Sequence, residues 1–207
     1  ANGTVALDLI FVGLGIGVGD EVIVTPRTFL ASASSIVSAG ATPVFVDVDA
    51  DTLGMSPDSL RRWLETETVQ RDGATVNRVS GARIAACVPM HTFGLPCRIQ
   101  AIADVCAEFS IPLIEDAAES LGSYVEGRHT GSFGLLATLS FNGNKIITTG
   151  GGGMIVGNDT EEMARIKSLV NQARAIDGSD KHAAIGFNYR MTNIEAAIGL
   201  AQMEKLE

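Results

Sequence analysis

Leu136-Ala137-Thr138-Leu139-Ser140-Phe141-Asn142-Gly143-Asn144-Lys145-Ile146-Ile147-Thr148-Thr149-Gly150-Gly151-Gly152-Gly153-Met154-Ile155-Val156 reads as a strand, a sharp turn, a glycine-rich corner and a second strand. The strands are expected over 136–141 and 153–156, with Lys145 in the turn between them. Lys145 is the single charged residue from Gly134 to Asn158. A loop lysine is ordinarily a solvated surface residue. In so uncharged a setting the amine must either reach a polar cavity or lose its proton. Both suit a lysine that forms a Schiff base, because the nucleophile is the neutral amine.

Working outward, 207 residues suffice for one large α/β domain with a buried core. A hydrophobic share of 46% with 5% aromatics is neither disordered nor membrane-like. No apolar run reaches spanning length, and no basic-then-apolar start suggests a signal peptide, so a cytoplasmic protein is expected. The net charge of −9 disfavours a nucleic-acid partner, which calls for a basic face. A helix N-terminus can still hold a small anion against that global charge. Cys87, Cys97 and Cys106 have no zinc spacing and read as reduced thiols, and no metal site is expected.

Helices are expected over 3–16, 28–39, 57–67, 99–109, 161–170 and 193–205. Thr4, Ser56 and Thr192 are the candidate caps of the first, third and last. Apolar strands are expected over 21–25, 43–48, 83–90 and 112–116, besides the two around Lys145. Residues 68–82 are polar and aperiodic and read as a surface excursion. The alternation predicts an α/β fold: a mostly parallel mixed sheet with helices on both faces. Such sheets bind ligands at the carboxyl ends of their strands. Gly13, Gly15, Gly17 and Gly19 tempt a dinucleotide fingerprint, but a helix precedes them and a strand follows, the reverse of that motif.

Several residues carry candidate chemistry. Asp116 ends an apolar strand, where an unpaired carboxylate is costly, although a capping role is equally open. Gly3 and Thr4 open a helix, where backbone N–H groups and the dipole favour an anion and glycine permits close approach; a plain cap is the simpler reading. Phe29 starts a helix, a position that is usually core. His91 follows a strand and reads as structural rather than catalytic. Glu115 and Asp116 point to opposite faces and so do not form a glycosidase pair.

Ser140-Phe141-x-x-x-Lys145, followed by Thr148-Thr149-Gly150-Gly151-Gly152-Gly153, resembles the lysine motif of the DegT/StrS sugar aminotransferases. These enzymes use pyridoxal phosphate (PLP) and have the aspartate aminotransferase-like fold type I. Glu115-Asp116-Ala117-Ala118 resembles the family's acid motif, and Asn2-Gly3-Thr4-x-Ala6-Leu7 its phosphate motif. Gly186-Phe187-Asn188-Tyr189-Arg190-Met191-Thr192-Asn193 resembles the start of its last motif, and the resemblance runs from Asn2 to Leu206.

The resemblance implies that Lys145 is the Schiff-base lysine and proton carrier, and that Asp116 faces the ring nitrogen. It places Phe29 and Ala118 against the ring, and Glu119 on the ring-hydroxyl side, where relatives often carry glutamine. It places Gly3, Thr4 and Ser140 at the phosphate. It sends Asn188 to the phosphate in a neighbouring subunit, which implies a homodimer with shared sites. It implies transfer of an amino group from an amino acid, glutamate in the family, to a nucleotide-linked keto-sugar in cell-surface or secondary-metabolite sugar biosynthesis. The stretch 142–149 looks most like the branch acting on UDP-linked 4-keto sugars. Residues 1–207 are then expected to be a PLP-binding large domain, without an N-terminal segment and a C-terminal small domain. The alternatives are a non-catalytic binding module of the same fold, or a PLP-dependent sugar dehydratase. Relatives of the latter kind replace the lysine with histidine, so Lys145 argues against it.

Overall fold

The computed structural model of the chain describes residues 2–174, 179 and 181–206. Strands β1 (Asp20–Val24), β2 (Thr42–Phe45), β5 (Arg83–Val88), β6 (Ile114–Asp116) and β9 (Leu136–Ser140) run parallel. The bridges Cys87↔Leu113 and Met90↔Asp116 join β5 to β6, so the order is β2-β1-β5-β6-β9. Strand β10 (Gly153–Gly157) closes the far edge antiparallel to β9. This is the mixed, mostly parallel sheet expected from the alternation.

The strands are apolar in nearly every position because both faces are covered. Val22 and Val24 of β1, with Ala86 and Val88 of β5, pack against α1 (Gly3–Gly13), α2 (Leu30–Ser38) and α5 (Thr160–Val170). Their in-between neighbours Ile23 and Cys87 pack against α3 (Pro57–Glu67) and α4 (Ile99–Glu108) on the other face. The two-residue period of a strand does this sorting.

The predicted ends are mostly within a residue or two. Ser56 caps α3 by accepting from Ser59 N, and Thr192 forms a capping box with Glu195 at the start of α6 (Asn193–Met203). Two expectations need correction. The cap of α1 is Asn2, whose side chain accepts from Val5 N at 2.9 Å, and Thr4 lies inside the first turn. Residues 68–82 are not a structureless excursion. They hold the hairpin of β3 (Thr68–Arg71) and β4 (Ala74–Asn77), which joins the foot of β5 through Val76↔Arg83. Asp72 and Gly73 at its tip have φ of 52° and 79°. Positive φ at both central positions is what a two-residue hairpin turn demands. A second small hairpin, β7 (Tyr124–Val125) with β8 (Arg128–His129), was also unforeseen.

Candidate active site

A cavity of about 360 Å³ opens at the carboxyl ends of β6 and β9. Gly3, Thr4, Phe29, Asp116, Ala118, Glu119, Ser140 and Lys145 all line it. Four separate stretches of sequence thus converge on one site. Asn2, Asn142 and Asn144, which belong to the quoted motifs without an assigned role, line it too, as does Met90. Asn188 does not line it; it is exposed, and its backbone bridges Asn171.

The lysine loop is built on its own backbone. Phe141 N donates to Gly152 O (3.0 Å), and Thr149 N donates to Phe141 O (3.0 Å). Gly152 adopts φ 117°, a conformation that side chains resist. A Cβ on Gly153 would lie 2.6 Å from the carbonyl of Asn2. That glycine therefore lets β10 lie directly against the start of α1. Gln202 of α6 clamps the loop from outside, accepting from Thr148 N at 2.9 Å and donating to Thr148 O. Lys145 Nζ donates to Glu119 Oε1 at 2.9 Å and stands 5.9 Å from the Phe29 ring centre. Glu119 Oε2 in turn accepts from Phe93 N (3.2 Å).

Asp116 is buried at the cavity floor. Its Oδ2 accepts from Ser32 Oγ (2.7 Å) and its Oδ1 from Ala118 N (3.2 Å). Burial pushes this carboxyl above its usual range, and those two donors only partly offset it. At the other end of the cavity, the first-turn N–H groups of α1 have no intrahelical acceptor. A Cβ on Gly3 would meet Ser140 Cβ at 3.0 Å, so glycine brings this helix end close to Ser140.

Glu115, on the opposite face of β6, has the reverse environment. Its oxygens accept from Gly131 N (2.7 Å), Phe133 N (2.6 Å), Gly134 N (2.7 Å) and His91 Nε2 (3.1 Å). Burial alone would raise its pKa. The His91 bond and the Gly131 and Gly134 amides more than offset this and hold it below the usual range. His91 Nδ1 accepts from Cys97 N at 3.3 Å, so the ring proton sits on Nε2 and points at Glu115. The Cys97 thiol lies 3.6 Å from Nδ1. This Cys-His-Glu array is fully interior, and burial, with the nearby Glu115 charge, pushes the thiol up to about 12. It is structural, as expected for His91, and not a nucleophilic triad.

The sequence profile of the DegT/DnrJ/EryC1/StrS aminotransferase family matches residues 1–207. The chain belongs to this family. It is 43% identical over 206 residues to a GDP-perosamine synthase of Caulobacter vibrioides, covering 100% of this chain and 51% of that one. It is 40% identical over 206 residues to the putative pyridoxal phosphate-dependent aminotransferase EpsN of Bacillus subtilis, covering 100% of this chain and 50% of that one. The crystal structure of a family aminotransferase from Brucella abortus superposes with a TM-score of 0.90 at 31% identity, covering 100% of this chain and 53% of that one. The chain thus spans about half the length of the curated relatives it matches. Pyridoxal phosphate is the cofactor, and the charge pattern of the cavity suits it. A helix N-terminus offers donors to a dianion, a buried carboxyl makes no close ion pair among the described residues, and a lysine amine reaches the space between. Among the described residues, no helix is long and apolar enough to cross a membrane.

Proposed function

We propose that the chain is the cofactor-binding large domain of a PLP-dependent aminotransferase that acts on a nucleotide-linked keto-sugar. The convergence of Lys145, Asp116 and the start of α1 on one cavity carries this reading. When bound, pyridoxal phosphate supplies a cationic conjugated ring that spreads the charge left when a proton leaves an amino acid α-carbon. Gly3, Thr4 and Ser140 hold the phosphate through backbone and hydroxyl donors. Asp116, as an anion, would hold the ring nitrogen, and Phe29 and Ala118 would support the ring. Glu119 would lie on the ring-hydroxyl side and accept a hydrogen bond from the Lys145 amine whenever that amine is free. Lys145 anchors the cofactor. When free and neutral, its Nζ would take a proton from the substrate α-carbon and return it, as base and then acid.

The donor is glutamate, and the product is an amino sugar on a nucleoside diphosphate. The relative named GDP-perosamine synthase supports a GDP-linked sugar, whereas the lysine stretch resembles the UDP branch. The assay therefore offers 4-keto sugars on both nucleotides. The active unit is a cytoplasmic homodimer, in which Asn188, standing away from its own cavity, serves the phosphate in the partner.

The test is chemical trapping. Borohydride should fix PLP to the peptide containing Lys145, and Lys145→Ala should abolish amination. Trapping at Lys167 instead would overturn the assignment. Mixing inactive Lys145→Ala with Asn188→Ala should restore activity through dimers holding one intact site. No recovery after proven subunit exchange would sink the shared site.

A further inference from the structure

Behind Asp116 lies a chain of hydroxyls. Ser32 Oγ is 2.7 Å from Asp116 Oδ2, and Thr28 Oγ1 is 2.7 Å from Ser32 Oγ. Thr28 Oγ1 is also 3.3 Å from Met90 Sδ. Ser32 is fully buried and Asp116 nearly so, so the bond between them lies out of bulk solvent. A Thr28-to-Ser32 bond alone is ordinary at a helix start. The bond that reaches across 84 residues to the cavity floor is not.

Each hydroxyl has a single hydrogen to give. With Asp116 ionised, Ser32 must donate to it, and Thr28 donates to Ser32. With Asp116 protonated, the acid donates to Ser32, Ser32 donates to Thr28, and the Thr28 hydrogen turns to Met90 Sδ. Every hydrogen has an acceptor in both arrangements, and the thioether is the terminus that makes the second one complete.

We propose that Thr28 and Ser32 form a reversible hydroxyl relay that serves Asp116 in both its ionised and its protonated form. They are positioning residues: they keep the carboxyl aimed at the cavity before the cofactor arrives and support its anion afterwards. The second part rests on the reading of Asp116 as the partner of the ring nitrogen. The titratable groups around Asp116 are Lys145 and Glu119 across the cavity, and His91 and Glu115 beneath it. The cavity-lining parts of α1 and α2 bring none. Hydroxyls are therefore the means by which the α2 side meets a carboxyl that burial pushes upward.

The experiment titrates Asp116 in the cofactor-free protein by infrared difference spectroscopy, with Asp116→Asn as the blank. Ser32→Ala should move the midpoint upward by roughly one pH unit, since the charge-assisted bond lost to the anion is stronger than the neutral bond lost to the acid. Thr28→Val should move it in the same direction by less, and Thr28→Ser should restore it. In a separate absorbance titration with pyridoxal phosphate, Ser32→Ala should weaken binding by about tenfold. An unmoved midpoint in folded Ser32→Ala overturns the relay, as does equal behaviour of Thr28→Val and Thr28→Ser. If Ser32→Ala does not fold, the Thr28 pair decides alone. The titration needs no cofactor, so it fails or stands apart from the reading of Asp116. If Asp116→Asn binds pyridoxal phosphate as tightly as the wild type, that reading fails instead, and the positioning role with it.

Discussion

The two faces of β6 carry neighbouring carboxyls with opposite fates. Glu115 and Asp116 are both buried. Glu115 collects three backbone amides and an imidazole N–H, and its anion is favoured despite burial. Asp116 collects one hydroxyl and one amide, and its anion is disfavoured. Asp116 is set the deeper of the two and has the fewer donors, and both differences favour its neutral form. Glu115 is satisfied by the fold itself and ties β6 to His91 and to residues 131–134. Asp116 is left short of donors on the side that faces the cavity, where a cationic group would complete it.

Three experiments can break this contrast. The largest effect is expected from Glu115→Ala, which strands a buried imidazole N–H and three amides. Breaking such a buried set should cost about 3–5 kcal/mol in urea unfolding at neutral pH. A loss within the range of a surface substitution would mean that water or a shift of the loop replaces the carboxylate. Next comes Asp116→Asn, which should fold normally and retain cofactor better than it retains rate. Removing one electrostatic stabiliser should lower kcat by about 10²–10³. Wild-type turnover would reduce Asp116 to a structural residue.

The smallest effect lies in the pH dependence of stability without cofactor. Glu115 is depressed from its ordinary 4.5, so its stabilisation is present above that value and lost as pH falls through the folded value. Asp116 is raised from its ordinary 3.8, so its contribution is full below that value and lost as pH rises through the folded value. Glu115→Gln should therefore flatten the acid limb of the profile. Asp116→Asn should remove a decline on the other side. Denaturant midpoints across pH 3–7 would show it, and parallel profiles for the two variants would contradict the contrast.

Much of this site was legible because its residues sit in short local motifs. Asp116 at a strand end, Gly3-Thr4 at a helix start and Lys145 in an uncharged turn are readable one stretch at a time. The caps Ser56 and Thr192 were legible for the same reason. What escaped depends on closure of the fold. Ser32 looked like one more small residue in an Ala- and Ser-rich helix, and only the packing of α2 on the sheet brings it to Asp116. The role of Glu115 is not readable from the sequence because its partners are mostly backbone amides, which no side-chain pattern encodes. The β3–β4 hairpin hid behind strands of four residues with mixed polarity. Asp72-Gly73 was the signal that could have revealed it.

The Gln202 clamp on Thr148 has a consequence for how the lysine loop breathes. One side chain from α6 satisfies both backbone groups of Thr148, three residues beyond Lys145. A Cβ on Gly199 would lie 2.9 Å from the Thr149 methyl, so the helix seats tightly on the same corner. Release of α6 therefore frees the loop, and whatever orders the loop holds α6 down. Because such coupling is reciprocal, a ligand that orders the loop would also hold α6 on the sheet, by the same free energy. The hydrogen-exchange rate of the Thr148 amide is its natural gauge.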